Sequence, residues 1–179
     1  MMAAMSDPGD PTVPLMVDDR WAALEALHRE HYRRLVRLAV LLVDRPETAE
    51  ELVQDAFVRL HRALDRVEVE ARPAYLRSIV MNLARSRLRH RAVVRRHIEP
   101  PAPPAPPADA AAHLHEDRTA VVAALRQLPR RQRECVVLRF YEDLTVPQIA
   151  STLGVSQGAV KSHLFRANQA MAVMLEAHR

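Results

Sequence analysis

Between Glu99 and Ala108 the chain reads EPPAPPAPPA, six prolines in ten residues. Proline has no backbone N–H and fixes its own φ, so neither an α-helix nor a central strand can cross such a run, and extended polyproline II is favoured. Any packed structure must therefore form on either side of it. This divides the sequence into a leader over residues 1–20, an amino-terminal unit over 21–97, a linker over 98–117 and a carboxy-terminal unit over 118–179. About 20 linker residues, fully stretched, reach at most ~65 Å, the rise of roughly 19 base pairs of duplex. The run also fits a ligand for a proline-binding domain.

Both units read as helical. Aromatic residues make up 4% of the chain and there are only 3 glycines, too few for a strand-rich fold with tight turns, while 49% hydrophobic content suffices for a core. The expected fold is all-α, a helical bundle followed by a four-helix domain. Leu24, Leu27, Leu35, Leu38 and Leu42 keep helical spacing until DRPE interrupts them at Pro46. Leu52, Val53, Ala56, Phe57, Leu60 and Leu64 form a second stripe, and Leu76, Ile79, Val80 and Leu83 a third that fails at Arg87. After the linker, HEDRTAVVAALRQL and RRQRECVVLRF read as two helices, and two more surround Gly154.

Those last two carry the most specific local signal. In LTVPQIASTLGVSQGAVKSHLFRA, Thr145 with Gln148 forms a capping box, Ser156 caps the next helix, and Ala150, Gly154 and Val160 take the spacing of a helix-turn-helix. The second helix then enters the major groove with its first turns facing base edges. Gln157, Lys161 and Ser162 are the candidate base readers, and Ser156 and Arg166 the candidate phosphate contacts.

A second polyanion site precedes the linker. From Arg72 to Ile98 there are eight arginines and no carboxylate, although the whole chain carries a net charge of only +4. Tyr75, Arg77, Asn82, Arg85, Arg89 and Arg91 are the candidate DNA contacts there, combining phosphate-binding charge with an amide and a ring that suit unstacked bases. On the second helix, Glu47, Glu51, Gln54, Asp55 and Arg62 stand opposite the apolar stripe around Val58, an acidic face suited to a basic protein partner.

Other chemistries find no support. The nine histidines lack ligand spacing, and no glycine loop or nucleophile elbow is present, so no metal, cofactor or enzymatic activity is expected. The single cysteine, Cys135, reads as a small buried residue. The amino end has neither the basic start nor the apolar run of a secretory signal, and no stretch has the length of a membrane span, which gives a cytoplasmic expectation.

AEELVQDAFVRLHRAL (49–64), RPAYLRSIVMNLARSRLRHR (72–91) and LPRRQRECVVLRFYEDLTVPQIASTLGVSQGAVKSHLFRA (128–167) together resemble sigma-70-type initiation factors of the extracytoplasmic-function (ECF) group. The resemblance spans roughly residues 24–175 and implies a sigma factor that binds core RNA polymerase and directs initiation at specific promoters. It implies that Glu51, Gln54, Asp55 and Arg59 meet the polymerase, that the loop from Asp65 to Pro73 with Asn82 captures a base of the melted minus-10 element, and that the helix-turn-helix reads duplex at minus-35. It also allows an anti-sigma partner. Tyr75, Ser86, Ala159 and His163 depart from the residues common in the family at those places. The alternative reading is a helix-turn-helix repressor or activator that never replaces a sigma factor; it leaves the acidic helix and the arginine unit without a task.

Overall fold

The structure, a computed structural model, describes residues 17–43, 45–95 and 112–176. The expected leader and the proline run lie almost wholly outside these residues. Every regular element among them is helical: α1 (Val17–Leu42), α2 (Pro46–Ala63), α3 (Arg72–Arg95), α4 (Ala112–Gln127), α5 (Arg130–Phe140), α6 (Val146–Leu153) and α7 (Gln157–Glu176), with 3-10 turns at Leu64–Arg66 and Val69–Ala71. Helix α4 spans Ala112–Gln127 and so includes part of the segment assigned to the linker, which holds no proline after Pro107.

Helices α1, α2 and α3 pack against one another in pairs. Arg45 precedes Pro46 and takes an extended conformation (φ −129°, ψ 131°), the geometry a following proline imposes, and Pro46 opens α2. Leu38, Val53, Ala56, Leu60, Leu76 and Val80 are fully buried between the three helices, as the stripes require. Met81 and Ala84, off the expected stripe, are buried as well, since α3 faces both α1 and α2.

In the second unit α5, α6 and α4 all pack against α7. Gln148 Oε1 accepts from the backbone N–H of Thr145 at 2.8 Å and from its hydroxyl at 2.9 Å, which fixes the start of α6. Gly154 ends α6 in the left-handed region (φ 64°, ψ 42°), and Val155 N–H closes the turn on the Ala150 carbonyl at 3.1 Å. A Cβ there would meet no atom within 4 Å, so glycine is required by the backbone angle alone.

The two units are not separate bodies. Helix α1 also packs against α4 and α5, and buried residues from Leu35 to Ala167 form one continuous core. The carboxy-terminal half of α1 explains this. Leu35, Val36, Leu38, Ala39, Val40, Leu41 and Leu42 leave it apolar on nearly every side, so one neighbouring bundle cannot cover it.

Candidate nucleic-acid and polymerase interface

Three surfaces follow from this arrangement. On α7, Val160 and Ala167 point into the core, while Gln157, Lys161, Ser162 and Arg166 are exposed, so the expected readers share the outer side. Ser156 Oγ accepts from the Ala159 N–H at 3.2 Å and caps the helix, while its O–H remains able to donate to a phosphate. Phe165, also on α7, is 64% exposed.

On α2, Glu51, Gln54, Asp55, Val58, Arg59 and Arg62 are all exposed opposite the buried stripe. Val58 is half exposed, at 50%, and interrupts the polar surface as the spacing predicts. Glu51 is ion-paired with Arg87 of α3, which ties the acidic face to the arginine-rich helix.

The third surface surrounds α3. Tyr75, Asn82 and Arg89 are exposed, and Arg89 has no ion pair among the described residues. Arg85 Nη1 donates to Asn82 Oδ1 at 3.2 Å, so two of the expected DNA contacts meet. Arg77 and Arg85 behave otherwise. Arg77 Nη1 lies 3.4 Å from Glu142 and Arg85 Nε 3.1 Å from Glu134, both carboxylates of the second unit. Arg91 lies on α3, with its side chain outside the described residues.

Two residues important for the loop between α2 and α3 were missed. Arg72, the first of the eight arginines in the stretch from Arg72 to Ile98, is buried; its Nε donates to the Val67 carbonyl at 3.2 Å and its Nη2 to that of Leu64 at 3.3 Å. A signal existed, because a cation in the first turn of a helix opposes the helix dipole and needs another reason to be there. Arg20 braces the same loop from α1, ion-paired with Asp65 and donating to the His61 carbonyl at 2.7 Å. Trp21 stacks on the His61 ring beside it, centroids 4.9 Å apart. With its base held from both sides, the loop presents Glu68, Val69 and Glu70 to solvent.

Burial pushes the Cys135 thiol up from 9.0 to about 11, helped by the charge of neighbouring Glu134. Burial likewise raises the Tyr141 phenol, whose hydroxyl donates to the Arg34 carbonyl at 3.2 Å. Among the described residues no group of three His, Cys, Asp or Glu side chains is placed to hold a metal ion, and no helix is long and apolar enough to cross a membrane.

A helix-turn-helix with an exposed reading face, joined to a three-helix bundle bearing an acidic face and an arginine-rich helix, defines a helical protein that handles DNA and a protein partner together. Residues 27–93 match the family described as Sigma-70 region 2, and residues 118–171 match Sigma-70, region 4. The chain is 36% identical over 160 residues to the ECF RNA polymerase sigma factor SigM of Mycobacterium tuberculosis, covering 88% of this chain and 79% of that one. Its fold is similar to that of RpoE from Bartonella quintana, solved with the anti-sigma factor NepR, with a TM-score of 0.67 at 23% identity over 90% of this chain and 97% of that chain. CnrH, solved with the cytosolic domain of CnrY, gives a TM-score of 0.64 at 26% identity over 88% of this chain and 90% of that chain. The chain belongs to the ECF group of sigma-70 RNA polymerase sigma factors, and it directs promoter-specific transcription initiation.

Proposed function

We propose that the two units divide promoter handling between them. Glu51, Gln54, Asp55 and Arg59 on α2 dock onto core polymerase, with Val58 supplying the apolar centre of that contact. Tyr75, Asn82, Arg89 and Arg91, joined by Arg77 and Arg85, engage the melted minus-10 strand beside the loop that Arg20 and Arg72 brace. Gln157, Lys161 and Ser162 read duplex at minus-35 while Ser156 and Arg166 hold phosphates. Catalysis belongs to the polymerase, the protein works in the cytoplasm without metal or cofactor, and the linker spans the distance between the two promoter elements. The likeness to CnrH, solved with CnrY, supports an anti-sigma partner for this chain as well.

The observation that carries this reading is the exposure of the polymerase set on α2 and the base-reading set on α7, two different helices, each backed by its own buried stripe. A reconstituted transcription assay tests it. Purified core polymerase with this chain is expected to initiate at a cognate promoter. Binding of free chain to duplex at nanomolar affinity, with no initiation from core, would establish the repressor reading instead.

A further inference from the structure

We propose that Trp21 is a stacking platform for an unpaired DNA base: it covers a neighbour of the base that the loop captures, on the side of the loop away from Tyr75. The proposal rests on the reading of the loop from Asp65 to Pro73 as the receiver of an unstacked base.

Trp21 is the only tryptophan of the chain, and 57% of it is exposed near the start of α1. Exposure alone would mean little, since single apolar residues at a surface are ordinary. What sets this ring apart is how firmly it is held. His61 stacks on one face, with centroids 4.9 Å apart and planes at 29°, which leaves the other face open. Arg20, its neighbour on α1, donates to the His61 carbonyl at 2.7 Å and is ion-paired with Asp65. The turn of α1 that bears the indole is thereby fixed to the start of the loop. A ring ordered before its ligand arrives loses little conformational freedom on binding, so more of the stacking energy appears as affinity.

The loop has an exposed ring at each end. Tyr75, 38% exposed, stands on α3 just beyond Arg72 and Pro73, and Trp21 stands by Asp65, where the loop opens. A base that leaves the stack uncovers one face of each of its two neighbours. Two rings on either side of the place it goes to can cover both faces, whatever the sequence, because every base has a π-face. Tyr75 accounts for one neighbour and Trp21 for the other.

The charges around the indole allow a nucleic acid to approach. Asp65 is ion-paired with Arg20, and Glu25, one turn on from Trp21, with Arg29 at 2.7 Å. Asp19, two residues back, projects from a different side of α1. Glu68 and Glu70 lie farther along the loop, where an extruded base presents its edge and not its phosphate. Arg62 and Arg66, next to His61 and Asp65 in the sequence, are exposed and supply cations for the phosphates that flank the stacked base.

The test uses the full chain bound to core polymerase and a forked minus-10 template. The template carries 2-aminopurine, whose fluorescence falls when it stacks, at one unpaired position at a time. The captured base marks itself as the bright position, and both of its neighbours are expected to be dim with the unaltered chain. Trp21→Ala should brighten one neighbour and Tyr75→Ala the other. Trp21→Ala should also weaken binding of the template about tenfold, within the range of a lost base–aromatic stack. Trp21→Phe should keep most of the affinity and Trp21→Leu should not, which separates stacking from a packing role of the side chain. Trp21→Ala without effect at any position, while Asn82→Ala weakens binding of the template, overturns the platform and leaves the reading of the loop standing. Both variants without effect remove that reading and the platform with it. A fall in copurification of Trp21→Ala with core polymerase, with neither neighbour brightened, gives the ring to the protein interface and likewise overturns the proposal.

Discussion

Arg72 Nη2 lies 3.3 Å from the carbonyl oxygen of Leu64, eight residues back along the chain, and the contact is buried. One guanidinium thus staples the start of the turn after α2 to the start of α3 and sets the shape of the loop proposed to receive an unstacked base. Arg72→Ala leaves the buried Leu64 carbonyl and the part-buried Val67 carbonyl without this donor and is expected to cost about 1–3 kcal/mol. Denaturant unfolding gives the stability, and amide exchange over residues 64–71 should quicken more than in the core of α2.

Gly154 at φ 64° admits an alanine sterically but not conformationally. Gly154→Ala is expected to cost roughly 1–2 kcal/mol, the penalty of a left-handed L-residue, read as a lowered midpoint in thermal unfolding. An unchanged midpoint would mean that the turn between α6 and α7 rearranges at no cost.

On α7 the candidate contacts separate by kind. Arg166→Ala should weaken binding of the polymerase complex to all duplexes alike and lower the slope of log affinity against log salt by about 1. Gln157→Ala should instead relax discrimination at single minus-35 positions, by about 1–3 kcal/mol per base pair, in a competition series of altered duplexes.

Glu51→Arg with Asp55→Arg reverses the charge of the exposed face of α2. Copurification with core polymerase should fall at least about tenfold, roughly 1.4 kcal/mol, with the helical circular dichroism retained. The double change also breaks the Glu51–Arg87 ion pair, but that pair is exposed and such pairs contribute about 0.2–1 kcal/mol, so the fold should survive.

The Cys135 thiol stays protonated in the folded chain until about pH 11, whereas an unfolded thiol ionises near 9.0. Between those values the unfolded state has lost a proton that the folded state keeps, so this group's contribution to stability is complete below about pH 9 and falls as pH rises. Urea unfolding repeated across that window should show the decline, and Cys135→Ala should flatten it. The same burial predicts that a thiol reagent at neutral pH modifies the chain only as it unfolds.

The stripes on α2 and α3, the capping pair Thr145 and Gln148, and the glycine at 154 were legible in the sequence because each depends on neighbours within a turn or two. The exposed sets on α2 and α7 were legible for the same reason: a helix with one apolar stripe leaves its opposite face to solvent. Arg72, Arg77 and Arg85 were not. A guanidinium's role depends on which carbonyl or carboxylate comes within reach, and their partners at Leu64, Glu142 and Glu134 lie up to 65 residues away.

By itself, then, the sequence determined an all-helical chain interrupted by prolines, with a helix-turn-helix at one end, an acidic helix face at the other and the residues each presents. Only the tertiary structure decided that the two halves close on each other, that Arg72 belongs to the fold, and that Arg77 and Arg85 face carboxylates. Local periodicity fixes which side of a helix avoids water. It does not fix which of several surfaces will cover the all-round apolar end of α1, because that choice is made by the packing and charge pairing of segments far apart along the chain.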